Sequence, residues 1–105
     1  MLPKNVRIKD AAIDEARTVY QWYAQQSEPA AAGFEREFVR RIEQIAEAPQ
    51  HWPVYMYGTR RCLLHHYPDF IVFLVSAEVI EVVAVAHTAR HSGYWRDRLF
   101  EDPGR

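Results

Sequence analysis

The change of hydrophobic period along this chain predicts an α+β domain in which an N-terminal strand and a helical hairpin pack on an antiparallel β-meander. Three observations carry that expectation. Apolar residues recur at helical spacing through the first half of the chain. After Pro53 they give way to runs of aromatic and β-branched residues. The two most apolar of those runs, FIVFLV and VIEVVAVA, are parted only by Ser76, Ala77 and Glu78. With 105 residues, 49% of them hydrophobic and 26% charged, there is material for one core and no second, so 1–105 reads as a single domain.

Val6 and Ile8 flank Arg7 in alternation, as a short first strand would. Asp10 is placed to cap the run AAIDEARTVYQWYAQQ, where Ile13, Ala16, Tyr20 and Tyr23, widened by Val19, form one buried stripe. Ser27 then offers a second cap, with Pro29 in the first turn of a helix. Phe34, Phe38, Ile42 and Ile45 share its inner face, and Pro49 ends it. So short a link between amphipathic helices implies an antiparallel hairpin. Strands are expected near 60–66, 70–76 and 79–87, the last two apolar at almost every position and therefore covered on both faces. Residues 99–105 read as a frayed polar tail.

Bulk properties narrow the function classes. Thirteen basic and 14 acidic residues leave a net charge of −1, which disfavours a general phosphate-gripping surface. The sole cysteine, Cys62, lies in a strand-like run and reads as a small buried hydrophobe in a reducing compartment. No apolar leader segment opens the chain, and the longest apolar stretch, from Phe70 to Ala77, is far shorter than a membrane span, so a cytoplasmic protein is expected. Adjacent His65 and His66 point to opposite sides of an extended chain, and spacings such as CxxC or HExxH are missing, so neither a metal nor another cofactor is expected.

Four places could present polar chemistry. Arg60 and Arg61, adjacent on a strand, face opposite sides and could bind an anion, a phosphate or a carboxylate-rich partner; they could equally protect an exposed strand edge. His65-His66-Tyr67 reads as solvated or capping. The segment from His87 to Arg98 holds what metal-free RNA cleavage requires: a His or Tyr to move protons and an Arg to steady a phosphorane-like transition state. Tyr94 and Trp95 could stack on bases, or pin the C-terminal turn to the sheet while Arg96 and Arg98 pair with Asp97, Glu101 or Asp102. The cluster from His51 to Tyr57 could be a partner surface or a lid folded over the core, the lid being favoured.

In order, these features resemble the RelE/ParE family of toxins over about residues 6 to 98. The resemblance is carried by Arg60-Arg61, by Tyr67-Pro68 ahead of FIVFLV, and by the ending AVAH-xxR-xxxYW. It implies a toxin held inactive by a cognate antitoxin. One branch cuts mRNA on the ribosome without a metal. For that branch the resemblance places Arg61, His87, Arg90 and Tyr94 in the catalytic roles. The other branch inhibits DNA gyrase by binding. In this chain Cys62-Leu63-Leu64 and Asp69-Phe70-Ile71 stand where the nuclease branch carries basic residues, so it is more similar to the ParE branch. Arg60, Arg61, Trp95, Arg96 and Arg98 are then the candidate contacts to target or antitoxin. A ribosome-dependent nuclease and a non-toxic antitoxin-binding relative are the alternatives.

Overall fold

A computed structural model describes residues 2–100. The order is β1 (Val6–Ile8), α1 (Asp10–Gln26), α2 (Glu28–Glu47), β2 (Arg60–Leu63), β3 (Asp69–Val75) and β4 (Ile80–His87), with single 3-10 turns at Pro49–His51, Met56–Gly58 and Arg96–Phe100. The sheet order is β1-β4-β3-β2. The meander β2-β3-β4 is antiparallel as expected, whereas β1 joins its far edge parallel to β4. A parallel neighbour needs a crossover, and the helical hairpin provides it.

Two expected details of the helices shift by a residue. Lys9, in extended conformation, is the N-cap of α1, and Asp10 falls in the first turn, where its carboxylate meets the positive end of the helix. The buried stripe is Ala12, Ala16, Val19 and Tyr23, while Ile13 and Tyr20 are exposed. The fully buried Ala12 has no bulk beyond its methyl, so α1 can lie close to the sheet. Ser27 ends α1 and caps α2, its hydroxyl accepting from the Ala30 amide at 3.3 Å. Along α2, Phe34, Ile42 and Ile45 are buried and Phe38 packs at their border, as the spacing predicts.

β2 stops at Leu63 rather than near residue 66, because the Glu37 carboxylate accepts from the His65 amide and the Leu64 amide donates to the Asp69 carbonyl, closing a tight turn. β3 alternates cleanly: Ile71 and Phe73 face the helices, Phe70 and Val72 the opposite side. In β4 a bulge breaks the alternation. Across from Val72 and Phe73 the register slips, so Val83 and Ala84 both face away from the helices. The outer side of the sheet carries its own apolar cluster of Phe70, Val72, Val83, Ala84, Ala86 and Trp95, against which Tyr55, Met56, Tyr94 and Leu99 pack. Both faces are covered, hence the unbroken apolar runs. Leu99, expected in the frayed tail, is part of this packing; residues 101–105 lie outside the described residues.

Candidate functional site

Where β4 ends, Thr88 to Trp95 turn back beside the outer face of the sheet. Gly93, at φ 75°, makes that return possible, and a Cβ there would stand 3.2 Å from the Tyr57 ring. The turn encloses a cavity of about 130 Å³ bordered by Arg61, His87, Arg90 and Tyr94, together with Tyr55 and Phe70. The four residues that the resemblance put in the nuclease roles therefore do converge, although they come from β2, the end of β4 and the tail.

Each of the four is engaged inside the protein. The Arg61 guanidinium lies over the Tyr55 ring at 4.4 Å and near Phe70 at 5.4 Å. His87 Nδ1 accepts from the Ala89 amide at 2.9 Å, bracing the turn. Arg90 stacks on Tyr94, 3.6 Å from its centroid, and reaches the Glu15 carboxylate at 3.3 Å. Tyr94 donates its hydroxyl to the same carboxylate. Burial, the Glu15 hydrogen bond and the Glu15 charge push the Tyr94 phenol far above its ordinary pKa, against a smaller pull from Arg90 and Arg98.

Glu15 is the residue that sequence reasoning missed. From α1 it accepts from Arg98 at 2.8 and 3.2 Å, and from the Val85 backbone amide at 3.0 Å. Arg98 in turn donates to the Val83 carbonyl at 3.1 Å. These backbone groups lie on the edge of β4 beyond the reach of β1, which pairs only as far as Val82. A glutamate and an arginine side chain thus stand in for the missing strand. The signal was present, since Glu15 interrupts the apolar stripe between Ala12 and Val19, but its partners are 70 to 83 positions away.

The remaining candidates divide. Trp95, expected among the contacts to target or antitoxin, is 1% exposed and packed by Tyr55 and Tyr57, so it has no face to offer: it pins the tail to the sheet. Arg98 pairs with Glu15 of α1, and the tail acids Glu101 and Asp102 lie outside the described residues. Arg60 turns to the opposite side from Arg61 and donates to the Trp52 carbonyl at 2.6 Å and to Gln50, tying down the loop after α2. Arg96 is exposed, its guanidinium 5.4 Å from the Tyr57 centroid. Of the 51–57 cluster, Tyr55 and Met56 serve as lid, while Val54 and Tyr57 stay exposed. Cys62 lies fully buried in the core beneath the helices, and that burial raises its thiol to about 11, against a smaller lowering by Arg41. Among the described residues no three His, Cys, Asp or Glu side chains gather as metal ligands, and no helix is long and apolar enough to cross a membrane.

The helical crossover, the four-stranded sheet and the tail that closes its outer face define an α+β fold. A chain described as "Chromosomal ParDE TA system from P. aeruginosa" matches it with a TM-score of 0.70 at 16% identity, covering 79% of this chain and 94% of that one. A search of curated proteins returns no match. Residues 6–91 match the family "ParE toxin of type II toxin-antitoxin system, parDE", and the chain belongs to that family.

Proposed function

We propose that this chain is a toxin that acts by binding, with DNA gyrase as its target, and that a cognate antitoxin holds it in check. The observation that carries the reading is the internal engagement of Arg61, His87, Arg90 and Tyr94. A general acid must give up its proton near neutral pH, and the Tyr94 phenol, buried against Glu15, is driven the other way. A toxin that binds needs none of this chemistry. It needs an accessible surface, and Arg96 supplies an exposed cation at the tail.

Purified chain added to gyrase should block supercoiling of relaxed DNA, and its expression should raise a DNA-damage response. Untouched supercoiling together with an absent damage response would sink the proposal. The convergence of the four residues keeps ribosome-dependent mRNA cleavage as the second reading. New mRNA ends at codons within translating ribosomes after induction would favour it. Harmless expression without the antitoxin would instead mark a relative that only binds its partner.

A further inference from the structure

A second surface, unrelated to the Glu15 cluster, carries more unpaired charge. Arg36, Arg40 and Arg41 project from α2 toward the turn that holds His65 and His66, and together they line a groove of about 600 Å³. The only carboxylate in its lining is Glu37, which the His65 amide already occupies. None of the three arginines has a carboxylate within ion-pair distance among the described residues. Arg41 and His65 also border a furrow of about 560 Å³ that runs on along β2, and there the lining turns apolar. Val54 is 69% and Leu63 54% exposed beside Trp52 and Pro53. Arg36 and Arg40 are exposed, and Arg41 donates to the Gln44 side chain at 2.7 Å.

We propose that this continuous surface binds an acidic peptide segment of a protein partner, its carboxylates over Arg36, Arg40 and Arg41 and its apolar side chains in the furrow beside Val54 and Leu63. Charge complementarity selects an anion. The furrow selects a peptide over a nucleic acid, because exposed valine and leucine gain by covering apolar side chains. The proposal uses no residue of the 88–98 segment, so it stands whether or not gyrase is the target.

The test is fluorescence anisotropy with a short labelled peptide of alternating Glu and Leu, a copy with Gln for every Glu, and a uridine oligoribonucleotide of matching length. The Glu peptide should bind the full chain. Its affinity should fall by about tenfold or more in an Arg36→Glu/Arg40→Glu double variant, whose altered side chains are exposed, and by a comparable factor in Leu63→Asp. Thermal unfolding of each variant separates lost binding from lost fold. No binding of the Glu peptide, equal binding of the Gln peptide, indifference of a folded double variant, or preferential binding of the RNA would each overturn the proposal.

Discussion

Glu15 accepts from a backbone amide, a phenol and two guanidinium groups, so its loss leaves several donors without an acceptor at once. Glu15→Ala should cost about 2–3 kcal/mol in urea unfolding, and the 88–98 segment should become the first site of proteolysis. Glu15→Gln keeps the shape but removes the charge, so the Tyr94 phenol should titrate lower in an ultraviolet pH titration, with burial still holding it above the ordinary value. An unmoved Tyr94 titration would refute the assigned contact. Asp69 makes a second residue-level case. Burial raises its carboxyl, opposed in part by His87 across the ladder, so the folded state holds the proton more tightly than the unfolded chain. Stability is then unaffected by this group below the unfolded pKa. It falls as pH climbs to the raised folded value, and the penalty is constant above that. Asp69→Asn should therefore raise Tm at neutral pH, with the gain vanishing in acid below the ordinary carboxylate range.

At the scale of elements, the strands and helices were legible because each is long enough to show its period, and the caps at Ser27 and Pro29 are local chemistry. What escaped depends on tertiary placement. The stripe of α1 is set by Ala12 against the sheet, which hydrophobicity alone ranks below Ile13. The bulge in β4 lies in a run apolar at nearly every position, where a slipped register leaves no trace in composition. The candidate site was half legible. The tail named its polar members, but the sequence of the tail does not show that they are tied to α1 or that Trp95 turns inward. That inward turn has a measurable weight. Trp95 anchors the outer cluster with Tyr55 and Phe70 beside it, so Trp95→Ala should destabilise by about 3–5 kcal/mol, read as a fall in the denaturant midpoint. A loss below 1 kcal/mol would mean that the tail is not part of the core.

Across the whole molecule, a net charge of −1 conceals an uneven distribution. Arg90 and Arg98 of the tail meet Glu15, and the cations of α2 meet no acid within ion-pair distance among the described residues. Neither region forms the broad basic face that holds a nucleic acid by counterion release, so the chain should not shift DNA or RNA at physiological salt. Binding to a protein target places different demands on the tail. Arg96 is exposed, lies 5.4 Å from the Tyr57 ring centroid, and carries no ion pair among the described residues. Its replacement should leave stability within about 0.5 kcal/mol. Under the gyrase proposal, reversing a charge at the contact removes an attraction and adds a repulsion. Arg96→Glu should then weaken inhibition of supercoiling by about tenfold, with the larger change in the association rate and in its salt dependence. A nuclease site at the cavity would respond otherwise: Arg96 does not border it, so Arg96→Glu would leave cleavage intact while Arg90→Ala abolished it. Measuring both variants against supercoiling and against mRNA ends therefore decides between a surface that binds and a cavity that cuts.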